Sequence, residues 1–296
     1  MSIALVTGAT GFIGSHLVRR LVREGLEVHA LCRRSSDFWR LPDVLPEIRT
    51  HDVDLADGRA LKTLLKEVRP NDVFHLASAT VVAGAEAVPF DLVSTNLAGT
   101  INLIEACDDL DLRGFVCTGD SFEYSPSAEP LSESGPCEPE GLHGITKLAA
   151  TLYARAKARS KGRPIVTLRL FSTYGPADNP RRLVPRVISG ALSGTPILLS
   201  RPEIARDWIY VDDVISLYVE AARRASQLGG EVFNAGTGRK VDLQAIVGTI
   251  LRILSAPKHD DHPWIADMRN TFERFSWRPG ISLEEGLKRT IADART

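Results

Sequence analysis

Three evenly spaced glycines, Gly8, Gly11 and Gly14, stand in the run Thr7-Gly8-Ala9-Thr10-Gly11-Phe12-Ile13-Gly14, after an apolar stretch and at the head of a stretch with helical spacing. A turn of this kind suits a pyrophosphate. Its first glycine allows a tight bend, the second lets backbone approach phosphate oxygens, and the third lets helix and strand pack closely. The following helix offers unpaired N–H groups and a positive dipole end to the anion. The expected dinucleotide cradle is therefore Gly8, Thr10, Gly11, Phe12, Ile13 and Gly14. At the end of the second strand, where a carboxylate would hold an unsubstituted ribose, the sequence reads Leu31-Cys32-Arg33-Arg34-Ser35. Arg33 and Arg34 suit a ribose phosphate through charge-assisted hydrogen bonds, so NADP(H) is the expected cofactor and NAD(H) the alternative. The later half has no second glycine-rich loop but contains Arg181, Arg182, Arg186, Arg206 and Arg269, the donors that a second diphosphate would need.

The elements that must position these groups read as βαβ units. Apolar runs at 3–6, 27–31, 48–51, 73–76, 114–118 and 165–171 alternate with helical patterns at 14–24, 58–68, 95–107 and 142–158. This predicts an α/β fold, a Rossmann doubly wound parallel sheet of six or seven strands. Past residue 175 proline and glycine become frequent and shorter helices are expected at 181–193, 211–225 and 243–254. The expected division is a dinucleotide-binding domain at 1–175 and a smaller C-terminal substrate-binding lobe at 176–296, which also returns late elements to the core. The loop at 126–139, rich in Pro, Glu and Ser, is a candidate lid.

Bulk composition narrows the function. In 296 residues, 44% hydrophobic and 25% charged content is that of an ordinary globular protein. With 36 basic against 37 acidic residues, nothing steers the chain toward nucleic acid or a membrane surface, and a small-molecule partner is expected. Cys32, Cys107, Cys117 and Cys137 lack metal-ligand spacing, so they read as reduced thiols and no metal is expected. With no apolar run long enough to span a bilayer and no export leader, the expected location is cytoplasmic.

The glycine spacing resembles that of the short-chain dehydrogenase/reductase superfamily, and later motifs resemble its extended branch, which acts on nucleotide sugars. Asp54-Leu55 resembles the pair that meets the adenine, His75-Leu76-Ala77 the strand lining the cofactor, and Asn96-Leu97-Ala98-Gly99-Thr100 the helix with a structural Asn. The run 169–176 resembles the crossing from sheet to substrate lobe, and 206–214 the stretch whose arginine, here Arg206, contacts the nucleotide part of the substrate. Phe233-Asn234-Ala235-Gly236 and 277–286 extend the match over essentially the whole chain. The resemblance implies further cofactor contacts from Ser78, Thr118, Lys147 and Phe171. It also implies substrate contacts from Thr80, Ser172, Arg182, Tyr210 and Arg269 beside Arg206.

At the catalytic positions the sequence departs from the family. A Tyr and a Lys four residues apart on one helix face do the proton work there; here the pair reads His143 and Lys147. The Ser or Thr that holds the reacting sugar oxygen is replaced by Asp120, with Ser121 beside it. An imidazole can donate a proton to a developing alkoxide, and a carboxylate can orient it, so an Asp120–His143 pair is expected in place of Ser and Tyr. Alternatives are that Ser121 takes the catalytic position, that Tyr124 is the acid, or that water is. Asp120-Ser121-Phe122 is not the Thr-Asp-Glu triplet of the family's dehydratases, which disfavours dehydration. Because dissociable NADPH suits a net reductase, Arg33 and Arg34 tilt the expectation toward NADPH-dependent reduction of a nucleoside-diphosphate 4-keto-6-deoxysugar. An NAD-dependent epimerase and a catalytically silent dinucleotide-binding module are the alternatives. Helices 95–107 and 142–158 resemble the pair through which relatives form homodimers.

Overall fold

The computed structural model describes residues 2–80, 88–195, 204–254 and 266–294. The first half supplies strands β1 (Ile3–Thr7), β2 (Glu27–Cys32), β3 (Ile48–Asp52), β4 (Asp72–His75), β5 (Gly114–Asp120) and β6 (Ile165–Leu170). Its helices are α1 (Phe12–Arg23), α2 (Gly58–Val68), α3 (Pro89–Leu92), α4 (Gly99–Ala106) and α5 (Leu142–Lys161). The second half supplies β7 (Ser172–Tyr174), α6 (Leu183–Ser193), β8 (Ala205–Tyr210), α7 (Val211–Leu228) and β9 (Val232–Ala235). It continues through β10 (Lys240–Asp242), α8 (Leu243–Ile253), α9 (Arg269–Arg274) and α10 (Leu283–Asp293).

Seven strands form one parallel sheet in the order β3-β2-β1-β4-β5-β6-β9, so the chain winds outward in both directions from the β1–β4 boundary. Both faces are covered, which is why these strands read as near-continuous apolar runs. Val6, Phe74 and Val116 join the core beneath α1 and α7, while Leu5, Val73 and Phe115 join the opposite core beneath α2, α4 and α5. Alternation along each strand divides one sequence between two cores. The second half gives α7 and β9 to this body, and β7, β8 and β10 form a separate three-stranded sheet.

The helix expected at 95–107 begins earlier, at Pro89, and passes through a π-helical segment at Val93–Ala98 before α4. Such widened turns redirect side chains and recur at functional sites. The 126–139 segment is not a free flap: Asn234 Nδ2 donates to the Leu131 carbonyl at 2.6 Å, Asp267 N–H to the same oxygen at 3.1 Å, and Ser125 N–H to the Pro136 carbonyl at 3.0 Å. The first bond ties the segment to β9, the second to the stretch before α9, and the third closes the loop on itself. No helix among the described residues is long and apolar enough to cross a membrane.

Candidate active site

In a doubly wound sheet the ligand crevice opens at the carboxyl ends of the strands, where the strand order reverses. Here that is the end of β1 and β4. Gly8 turns with φ +69°, and a Cβ there would meet Ala77 N at 2.6 Å. A Cβ on Gly14 would lie 2.1 Å from the Gly8 carbonyl oxygen, so both positions are closed to any side chain. Gly11 begins α1 with no side-chain cap, leaving the first helical N–H groups for an external acceptor. Thr10, Phe12 and Ile13, partly exposed, complete this rim. A cradle of this form fits a dinucleotide pyrophosphate. Arg33 and Arg34 follow β2 directly, both exposed, and neither guanidinium joins an ion pair among the described residues. Exposed Asp54, two residues past β3, accepts from Ala56 N–H at 2.8 Å, and buried Leu55 packs under Gly99.

One chain of hydrogen bonds ties the cradle to the helix layer. Thr100 spends its hydroxyl hydrogen on the Asn96 carbonyl at 2.7 Å, so His75 Nε2 must donate to Thr100 Oγ1 at 2.8 Å. His75 Nδ1 then accepts from Thr7 Oγ1 at 2.7 Å, and Thr7 in turn accepts from Ala77 N–H at 3.1 Å. Burial, with the Lys147 charge nearby, pushes the His75 pKa down to about 3, consistent with this neutral tautomer. Asn96, in the π-helical segment, accepts from Ser78 Oγ and from Ala79 N–H and donates to Thr146 Oγ1 at 3.2 Å. Thr146 Oγ1 donates to the His143 carbonyl at 2.9 Å, so Asn96 joins the loop after β4 to the helix bearing His143.

The structure brings Asp120 and His143 together, with His143 Nε2 3.2 Å from Asp120 Oδ2. Gly144 makes this possible: a Cβ there would lie 2.2 Å from the Phe122 carbonyl oxygen, so α5 approaches the end of β5 only without a side chain at 144. Asp120 Oδ1 accepts from Phe122 N–H at 2.9 Å, and Glu123 Oε1 accepts from Asp120 N–H at 2.9 Å, a reciprocal cap. Glu123, fully buried, is held by Arg169 Nε at 2.8 Å and Thr151 Oγ1 at 3.0 Å. His143 Nδ1 is buried and has no hydrogen-bond partner among the described residues. Phe122, 49% exposed, stands edge-on to the imidazole at 6.3 Å.

Lys147 is buried one turn along α5 and donates from Nζ to the Thr118 carbonyl; burial pushes its pKa down, opposed by the charges of Asp120 and Glu123. Thr118 Oγ1 donates to the His75 carbonyl at 2.8 Å and pairs with Tyr218 at 2.6 Å. Arg206 on β8 reaches the same region, with its guanidinium 5.6 Å from the Phe122 ring centre and no carboxylate partner among the described residues. Burial lowers its pKa while Asp120 raises it and Arg182 lowers it, so the three charges share one space. Arg182 also reaches Asp178 at 3.4 Å.

Other expected contacts lie elsewhere. Tyr210 is only 3% exposed, in an aromatic cluster with Tyr174 at 5.7 Å, and is part of the core rather than a cleft wall. Arg269 folds back onto Asp267 at 2.7 Å and does not join Arg206. Thr80 is exposed without a described partner, Ser172 is partly exposed on β7, and Phe171 is buried. Ser121 is 5% exposed. Tyr124 is 2% exposed and donates to Asn234 Oδ1 at 2.7 Å, which removes it as the acid; burial pushes its pKa up. Among the described residues no group of three His, Cys, Asp or Glu side chains is arranged to hold a metal.

Sequence reading missed Glu123, Gly144, Thr146 and Arg40. Only Glu123 had a local signal, its capping-box spacing from Asp120. Arg40 donates from Nε to the Ala177 carbonyl at 2.8 Å and from Nη1 to the Thr10 carbonyl at 3.4 Å, tying the glycine turn to the start of the second half.

The chain is 31% identical over 306 residues to UDP-glucose 4-epimerase of Mycolicibacterium smegmatis, covering 97% of this chain and 96% of that one. It is 28% identical over 311 residues to UDP-glucuronate 4-epimerase of Thermodesulfobacterium geofontis, covering 98% and 95%. The crystal structure of UDP-glucose 4-epimerase with UDP-glucose from Thermotoga maritima superposes with a TM-score of 0.88 at 28% identity, covering 99% of this chain and 98% of that one. The model of the NAD dependent epimerase/dehydratase family matches residues 4–236, the stretch that holds the glycine cradle, the Asp120–His143 pair, Lys147 and Arg206. The chain belongs to that family, with His143 where the family resemblance leads one to expect tyrosine.

Proposed function

We propose that this enzyme uses NADPH to reduce a nucleoside-diphosphate 4-keto-6-deoxysugar. The observation that carries this reading is the end of β2: Arg33 and Arg34 are exposed and form no ion pair among the described residues, and residues 33–36 include no carboxylate to hold an unsubstituted ribose. Dissociable NADPH suits net reduction. When bound, the reduced nicotinamide supplies a hydride to the carbonyl carbon. Lys147 would hold the nicotinamide ribose, His143 would give a proton to the new alkoxide, and Asp120 would orient the imidazole. Arg206, enclosed and without a carboxylate partner among the described residues, would hold the substrate diphosphate, with Arg182 beside it. The glycine cradle, Leu76, Ala77 and Thr118 would line the cofactor.

A UDP-sugar 4-epimerase with retained NAD is the second reading, favoured by the epimerases among the relatives. The two differ in an absorbance assay. Oxidation of NADPH that depends on a 4-keto-6-deoxysugar nucleotide supports the reductase; tightly retained NAD with no net oxidation supports the epimerase. Binding with no turnover of either kind would leave a silent module. A homodimer is also proposed, supported by exposed Phe90, Val93, Ile145 and Leu152 on the neighbouring α3 to α5 elements. A monomeric mass by light scattering at micromolar concentration would overturn it. Folding and action in the cytoplasm complete the reading.

A further inference from the structure

We propose that Arg40 is a positioning residue joining the two ligand sites, so that the dinucleotide and the nucleotide part of the substrate each bind more tightly when the other is present. This rests on the reading of two phosphate-bearing ligands given above.

Arg40 lies in the stretch 33–47 between β2 and β3, the same stretch that carries Arg33 and Arg34. Its guanidinium is partly buried and held on three sides. The Trp39 ring centre lies 4.1 Å from it, Nε donates to the Ala177 carbonyl at 2.8 Å, and Nη1 donates to the Thr10 carbonyl at 3.4 Å. Arg19 on α1 donates to the Arg40 carbonyl and, at 2.7 Å, to Asp43, which fixes the stretch against the first helix. A planar, always charged fork suits the holding of two carbonyls at set angles.

The two carbonyls belong to different sites. Thr10 is part of the glycine turn, so its bond to Arg40 fixes one peptide of the pyrophosphate cradle. Ala177 opens the loop that leads to α6 and has a left-handed φ of +58°, a conformation that an L residue keeps only where its neighbours impose it. Asp178 follows, buried, its Oδ1 accepting from Asn179 N–H at 2.7 Å and from Arg182 Nη1 at 3.4 Å. Its charge acts on Arg40 as well as on Arg182, and Arg182 in turn acts on Arg206. One carboxylate is thus shared between an arginine of the cofactor turn and an arginine of the substrate end.

A pyrophosphate at the turn holds the Thr10 peptide and orders Arg40, and with it Ala177 and Asp178. A diphosphate at Arg206 and Arg182 draws Arg182 from Asp178, whose charge then acts on Arg40 alone and tightens its hold on the turn. Each ligand leaves less ordering for the other to impose, which makes the coupling reciprocal. The loop has other supports. His16 Nε2 donates to the Pro176 carbonyl at 3.0 Å and Asp293 Oδ2 accepts from Ala177 N–H at 3.2 Å, so replacing Arg40 removes the link to the turn and leaves the loop in place.

The test is calorimetric titration of UDP and dTDP into the full chain, alone and saturated with NADP+ or NAD+, oxidised forms that permit no reduction. It is repeated with Arg40→Ala, Arg40→Lys and Asp178→Asn, and thermal melting establishes that each variant is folded. In wild type the dissociation constant of the nucleoside diphosphate should fall about 10-fold when the dinucleotide is bound, and that of the dinucleotide by the same factor in the reverse titration. In Arg40→Ala both ligands should still bind, with the factor reduced to about 2 or less. Lysine keeps the charge and one donor, so Arg40→Lys should fall between, and Asp178→Asn, which keeps the shape but not the charge, should also lose coupling. Weaker binding of each ligand in Arg40→Ala with the factor kept would mean that Arg40 only supports the fold, and would overturn the proposal. Wild type that binds both ligands independently would overturn it too and leave the two ligand assignments standing. Failure of either nucleoside diphosphate to bind in any state would overturn both.

Discussion

The two ends of the cleft are built from different material. At the β1–α1 end the surfaces offered to a ligand are backbone: the Gly8 turn, the uncapped start of α1, and contacts so close that Gly14 and Gly8 admit no Cβ. At the β5–α5 end they are side chains, Asp120, His143, Lys147 and Arg206, held by other side chains behind them. Backbone donors offer the same N–H groups whatever residues follow, so the first end serves one ligand feature, a pyrophosphate. The second would change its chemistry if residues such as Asp120 and His143 were exchanged, while the sheet beneath stays the same.

If the cofactor end depends on absent side chains, adding one methyl there should have the largest effect. Gly14→Ala forces a Cβ against the Gly8 carbonyl, and dinucleotide affinity should fall more than about 100-fold, with a lower melting temperature. Calorimetry showing affinity within a few-fold of wild type would break the contrast. At the other end the support lies behind the reacting groups. Glu123→Gln leaves Arg169, almost wholly buried, without its counter-ion and should cost about 3–5 kcal/mol in chemical denaturation. A loss below about 1 kcal/mol would mean that the Asp120 turn stands without it.

Replacing Arg33 and Arg34 together by alanine should weaken NADPH binding about 10- to 100-fold and leave NADH binding unchanged, because only the ribose phosphate loses charged partners. Equal losses for both cofactors would remove these arginines as specificity residues. The smallest effect concerns the join between the two ends. The folded pKa of His75 is lowered to about 3 from 6.5, so in the interval the unfolded chain takes up a proton that the fold refuses. This contribution is intact above the unfolded value and is lost as pH falls, at about 1.4 kcal/mol per unit between those limits. Denaturation midpoints compared at mildly acidic and neutral pH should show that slope in wild type and a flatter one in His75→Asn; identical slopes would assign it to other groups.

The parts of the site that were legible in sequence are those with local causes. Gly8, Gly11 and Gly14 follow one another within a single βα turn, and His143 and Lys147 are neighbours on one helix face, so spacing alone placed them. Tyr210 and Arg269 read as substrate contacts because type and motif suggested it. Whether a tyrosine points into a cleft or into Tyr174, and whether an arginine is free or folded onto an aspartate two residues away, depends on packing that no local pattern carries. Arg40 and Thr146 went unnoticed for the same reason: their partners lie across folds of the chain.

By itself the sequence determined the sheet, the order of its βα units and the glycine cradle, because apolar periodicity and missing side chains act over a few residues. Tertiary structure decided that Asp120 meets His143, that Glu123 and Arg169 hold the turn beneath them, and that Arg206 has no carboxylate partner among the described residues. Those groups come from β5, α5, β6 and β8, and only the packed sheet brings such distant segments within hydrogen-bond and Coulomb range.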